Sequence, residues 1–279
     1  MATPKATAKG RSADPARIPP IPPHARRTKL FQYTLAFTLI GVTALCLLTL
    51  GDVNWARVAS GLERNLMPLL RGFANPSSEI FDRAFAAMME TLYMAVIGTV
   101  IGGVLAVPLA FLSAANLVGG NRFAFPGRGF LAGVRVFPEL LFAIIFVAAI
   151  GPGAVAGIMA LGVNSVGFLG KMFADIIESI DPGPGEALKA TGAGPVHTFV
   201  YAVIPHVMPE FASNVLYRFE INLRAAAILG LVGAGGIGLL LIQRIQFRRW
   251  SEISTILLII IAFVVVVDVL SSYIRKRIV

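Results

Sequence analysis

Runs of apolar residues at about 31–50, 86–114, 134–150, 154–173 and 253–273, with a segment near 210–242 that starts polar and turns strongly apolar, constrain this chain most. Several approach the roughly 20 residues needed to cross the hydrocarbon core of a bilayer. Lipid offers the backbone no hydrogen-bond partners, so such runs must fold as helices. Hydrophobic residues make up 56% of the chain and charged residues only 14%, against about 25% charged in an ordinary soluble domain. The expected fold is therefore an all-α, polytopic integral membrane protein of about six transmembrane helices.

Charge placement orients the spans. The formal net charge is +9, but the basic residues cluster at both termini and in connecting segments, and no basic helix carries interleaved stacking aromatics. A cytoplasmic flank explains that pattern better than nucleic acid does. Residues 1–29 are rich in Pro, Ala and Arg and read as a disordered cytoplasmic tail, leaving 30–279 as the membrane domain. Arg26, Arg27 and Lys29 before the first apolar run imitate a signal peptide. The long polar lead and the absence of a small-residue cleavage site at Leu50-Gly51-Asp52-Val53 predict a retained first helix instead. Arg275, Lys276 and Arg277 place the C-terminus on the same cytoplasmic side of a bacterial inner membrane. In that topology 51–83 is a polar external loop and 116–133 a cytoplasmic one. The connector 243–252, with Arg244, Arg248 and Arg249, then lies outside, against the charge rule. Gly98, Gly102 and Gly103 in the second span allow another helix to approach closely. Cys46 is alone, so it forms no internal disulfide and reads as a buried thiol.

One polar, turn-rich stretch interrupts the apolar sequence: Asp181 to Pro205, DPGPGEALKATGAGPVHTFVYAVIP. Asp181-Pro182 suits a helix start and Gly192 a helix end, where a left-handed residue costs little. A second helix is expected after Pro195. Glu186-Ala187-Leu188, then Gly192, then Ile204-Pro205 resembles the cytoplasmic loop of ABC importer permeases, with Leu188 where that pattern has alanine. The block from Tyr217 to Arg224 and the glycine-rich run from Ala227 to Gly238 look like the phosphonate-type branch of that family, as does Arg135-Val-Phe-Pro138-Glu139. The similarity covers about 86–275.

That resemblance implies a type I ABC importer permease architecture. The loop 181–205 would couple to two cytoplasmic ABC ATPase subunits through Glu186, Ala187, Leu188, Gly192 and Pro205. It further implies an extracytoplasmic phosphonate-binding protein and a second permease copy, forming a homodimer. No P-loop occurs in this chain, so ATP and magnesium belong to the partner subunits. No cofactor, metal or covalent chemistry is expected here. Neighbouring cargoes are phosphite, phosphate ester or methionine, and an ATPase-independent channel is the reading from a different class. A channel has no use for the knob from Glu186 to Gly192.

Within the spans, Gly233, Gly235 and Gly238 imitate a dinucleotide-binding fingerprint. No strand precedes them, so close helix packing or a helix break explains them better. Freed amides around Gly233, Gly235 and Gly236 would then line a substrate path or gate. Glu220 and Arg224 are four apart and can form an ion pair on one helix face. A sharper reading sets Arg224, with Asn222 and Asn214, around a vestibule for an anionic phosphonate. Arg135 and Glu139 read as an interfacial anchor, and Asp268 as a paired or interface-seeking acid. His24, His197 and His206 have no metal-ligand spacing.

Overall fold

The computed structural model describes residues 23–49 and 54–278. In chain order the helices are α1 (Pro23–Thr49), α2 (Trp55–Ala74), α3 (Phe81–Ser113), α4 (Ala115–Val118), α5 (Asn121–Val136) and α6 (Glu139–Ile150), followed by α7 (Ala154–Ser179), α8 (Gly183–Ala190) and α9 (Pro195–Thr198), then α10 (Ile204–Leu229), α11 (Gly236–Gln246) and α12 (Trp250–Ile278). No strand occurs among the described residues. Residues 1–22 of the expected tail, and Leu50 to Val53, lie outside the described residues. The helix begins at Pro23 rather than after residue 29, because Pro is tolerated in a first turn and the apolar run pulls the preceding residues into register.

α3, α7 and α12 are each long and apolar enough to cross a bilayer. Two bent pairs, α5 with α6 at 83° and α9–α10 with α11 at 45°, are apolar enough to add a span each if both halves cross together. That gives three to five spans. The expected first span, α1, carries a shorter apolar stretch, Phe31–Cys46. Cys46 is exposed on it rather than buried.

Two expected loops are helices. The stretch 51–83 contains α2, whose Trp55, Val58, Leu62, Leu66 and Leu70 recur every three to four residues, an amphipathic signature masked by the four arginines around it. The stretch 116–133 contains most of α5. Pro126 and three glycines argue for a loop there, but Gly127 is a packing site: a side chain on it would meet Ser113 Oγ at 2.5 Å and Leu112 O at 3.2 Å. Tertiary contact overrides local propensity. The α5–α6 break falls where Phe137 precedes Pro138, which forces Phe137 into extended backbone (φ −78°, ψ 124°).

α7 is the weakly apolar, glycine-rich span, and it is the central helix. Of its most apolar stretch 61% is buried, against 28% for α12. Its small residues are crossing points. A Cβ on Gly98 of α3 would stand 2.8 Å from Leu161 Cβ, and one on Gly102 would collide with Ser165. Gly167 and Gly170 similarly admit Val134 and Leu131 of α5. Lipid drives helices together weakly, so close van der Waals contact between small residues holds such a pair. Gly103, with its nearest neighbours at 3.7 Å, is not needed for the approach.

Candidate functional site

The elbow between α7 and α10 is mounted on a clamp. Glu178, near the end of α7, pairs with Arg128 of α5 and accepts a hydrogen bond from the Ala115 amide at 2.6 Å. Arg128 Nε also donates to Ser113 O at 2.9 Å, which satisfies a carbonyl orphaned at the end of α3. Beyond this clamp Asp181 Oδ1 accepts from the Gly183 amide at 3.0 Å and starts α8. The helix closes with Ala193 N donating to Leu188 O (3.1 Å), Gly192 N donating to Lys189 O (3.0 Å), and Gly192 left-handed at φ +86°. This is a Schellman cap, and it gives Gly192 and Leu188 local roles.

No residue of α8 is buried, and Glu186 and Ala187 face solvent. α8 is therefore a knob held by its caps and by its seat on the α9 turn, not by a core of its own. A cavity of about 390 Å³ lies behind it, lined in part by Asn116, Ile180, Glu186, Lys189 and Phe199. The expected second short helix does not stand apart. α9 runs through one wide π-type turn, Phe199–Val203, straight into α10. That turn directly precedes Pro205, whose ring crowds the carbonyl four residues back and which has no N–H to give it. Pro205 thus sits in the first turn of α10 rather than ending a loop.

At mid-length of α3, α7 and α10 lies a buried polar knot. Arg218 Nε donates to Ser165 Oγ at 3.0 Å, and its Nη2 donates to Asn164 Oδ1 at 2.8 Å. Asn222 Nδ2, one turn further, donates to Thr99 Oγ1 and to Ser165 Oγ, each at 2.8 Å. Asn164 Nδ2 reaches the broken span, at Phe137 O (3.2 Å) and Glu139 Oε2 (3.3 Å). Arg218 is only 3% exposed and Asn222 not at all. A buried guanidinium is tolerated because its donors find partners and its flat face lies over the Phe168 ring, 4.9 Å from the centroid.

Among the sequence candidates, Asn222 joins this knot while Asn214 and Arg224 do not. Asn214 Nδ2 turns back to Glu210 O at 2.8 Å. Glu220 and Arg224 do not pair through their side chains as expected. Arg275 of α12 takes the Glu220 carboxylate, and Arg224 reaches Asp268 at 3.7 Å, keeping only a backbone contact to Glu220 O. The two pairs bind α10 to α12. Arg218, the central residue of the knot, is not among the sequence candidates, although its spacing of four from Asn222 puts the two on one helix face.

The glycine run is a helix break. Gly233, Gly235 and Gly236 all have positive φ, and their neighbourhood is satisfied internally: Gly153 N donates to Gly233 O at 2.9 Å, and Ile237 N donates to Thr91 Oγ1 at 2.8 Å. A side chain on Gly235 would meet Ala154 N and Glu90 Oε1, both at 2.8 Å. The basic connector carries its own acid. Glu252 lies beside both Arg244 (3.1 Å) and Arg249 (2.7 Å), so one carboxylate is shared by two of the connector's three arginines. The hydrogen bond to Glu252 raises the Arg249 guanidinium above its ordinary value.

Such an arrangement, bent apolar spans around a buried polar knot with a capped knob at one end, defines a helical membrane permease. The model of the family "Binding-protein-dependent transport system inner membrane component" matches residues 106–279, and the chain belongs to that family. It is 38% identical over 250 residues to the phosphite transport system permease protein PtxC of Stutzerimonas stutzeri, covering 89% of each chain. It is 35% identical to the phosphate-import permease protein PhnE of Mycolicibacterium smegmatis, over 95% of this chain and 49% of that relative. Among solved structures, the MetNI methionine ABC transporter in inward-facing form matches with TM-score 0.65 and 21% identity, covering 73% of this chain and 99% of that one.

Proposed function

We propose that the chain is the membrane-spanning permease of an ABC importer that carries a phosphorus oxyanion, phosphonate, phosphite or phosphate, into the cytoplasm by ATP-driven alternating access. The observation that carries this reading is the near full-length relationship to a phosphite permease. The likeness to the methionine transporter, at 21% identity, speaks for the fold alone.

In this reading α1 supplies the sixth span, both termini are cytoplasmic, and the chain itself catalyses no reaction and binds no cofactor. Two copies form the pathway, two ATPases hold ATP and magnesium, and an external binding protein delivers the oxyanion. The exposed face of α8, with Glu186, Ala187 and Leu188, sits against the ATPase. ATP-driven closure moves the knob, and the clamp at Arg128 and Glu178 passes that motion to α3, α5 and α7. Residues around Asn222, Arg224 and the Gly233–Gly236 break are candidates for the path.

The test is reconstitution with the candidate ATPase and binding protein, followed by ATPase assays with phosphonate, phosphite, phosphate and methionine. Stimulation by a phosphorus oxyanion is expected. Stimulation by methionine alone, or a complex containing no ATPase, would overturn the reading.

A further inference from the structure

The α5–α6 break carries charge that the knot does not neutralise. Arg135, in the last turn of α5, is exposed and its guanidinium lies 5.4 Å from the centroid of the Phe168 ring. Among the described residues it makes neither an ion pair nor a hydrogen bond. Arg218 shares the same ring, and the one carboxylate nearby, Glu139, is held by Asn164. Two guanidinium groups thus face one acid.

Depth makes this surplus informative. Asn164 and Ser165, opposite the break, are the eleventh and twelfth of the 26 residues of α7. Arg218 and Asn222 are the fifteenth and nineteenth of 26 in α10. The break therefore lies near mid-membrane, where an uncompensated charge is expensive and faces protein or water rather than lipid. Backbone that leaves helical geometry at this depth also lines a cavity rather than hydrocarbon. A cavity of about 190 Å³ opens beside the break, between Pro138, Glu139 and Leu140 on one side and Ala225, Ile228 and Leu229 of α10 on the other; Glu139 is its one charged wall, and Arg135 does not line it.

We propose that the break between α5 and α6 is a transit site for a tetrahedral phosphorus oxyanion, with Arg135 as the direct contact and the buried Arg218, over the same Phe168 ring, as a second positive charge. A guanidinium fork matches two oxygens of such an anion. Because Arg218 is already committed to Ser165 and Asn164, only Arg135 is free to grip, so the anion is held by one residue and can be released. Glu139 beside the path opposes lingering. This rests on the proposed oxyanion cargo.

The experiment uses the full importer in vesicles, measuring phosphite uptake by Arg135→Gln and Arg135→Lys, with co-purification of the ATPase as the control for assembly. Loss of one charge-assisted contact predicts a fall of about tenfold or more for Gln and a milder fall for Lys. Wild-type uptake by Arg135→Gln sinks the proposal. A defect that appears in phosphatidylglycerol vesicles and vanishes in pure phosphatidylcholine makes Arg135 a lipid anchor and also sinks it. Independently of any variant, phosphorus NMR of free phosphite with the wild-type complex lacking binding protein should show line broadening, and none would overturn the site. If the wild-type importer carries no phosphorus oxyanion at all, the cargo assignment fails first, which separates the two conclusions.

Discussion

The elbow and the knot are both polar interruptions of an apolar chain, yet they are built in opposite ways. α8 buries nothing and is shaped by its own neighbours in sequence: the Asp181 cap, the Gly192 turn and the bond from Ala193 to Leu188. The knot is assembled from Thr99, Asn164, Ser165, Arg218 and Asn222, drawn from three helices, and is almost wholly buried. A part that is gripped from outside needs only local shape, whereas a polar centre inside a membrane needs every donor matched. Damage to the first should therefore cost function and spare the fold, and damage to the second should cost the fold.

The largest effect is expected from Arg218→Ala, which strips Asn164 and Ser165 of their partner. Breaking a buried charged network costs roughly 3–5 kcal/mol, so thermal unfolding of the detergent-solubilised protein should shift far down. A shift no larger than that of an elbow variant would break the comparison. Next, Gly102→Leu forces α3 from Ser165, an overpacking cost of about 1–3 kcal/mol, while Gly103→Ala should leave the melting temperature unchanged. Gly192→Val places a branched side chain at φ +86°, at about 1–2 kcal/mol. It should uncouple ATP hydrolysis from uptake with only a small change in melting.

Glu186→Lys reverses charge on a fully solvated turn. Its stability effect should stay within about 0.5 kcal/mol, while ATPase stimulation by loaded binding protein drops. Arg224→Gln should also change stability little, since a half-exposed pair with Asp268 contributes at most about 1 kcal/mol. Unchanged oxyanion uptake in that variant removes Arg224 from the path and leaves Arg135 as the charge to test.

Legibility followed the range of the interaction. Gly98 and Gly102 were readable as a close-approach surface, and Asp181 and Gly192 as caps, because each signal lies within a few residues. α2 was present in a three-to-four residue apolar period and was obscured by charge. α5 was obscured by Pro126 and three glycines, of which Gly127 serves close contact with the end of α3. The partner of Glu220 could not be read at all: Arg275 is 55 positions away, and nothing local distinguishes it from Arg224 at four. Arg218 showed only as a charge beside an apolar run until Asn164 and Ser165 arrived from α7.

What the sequence determined by itself is a chain of apolar helices with a capped, solvent-facing knob, since hydropathy, helix caps and left-handed glycine act over one or two turns. What the tertiary structure decided is which polar groups meet: Arg218 with Asn164 and Ser165, Glu220 with Arg275, and Arg135 left over at a break in mid-span. In a bilayer the reason is physical. Hydrocarbon makes every helix look alike from within, so only the packing of one against another selects which of its few polar side chains are paired and which remain free to bind.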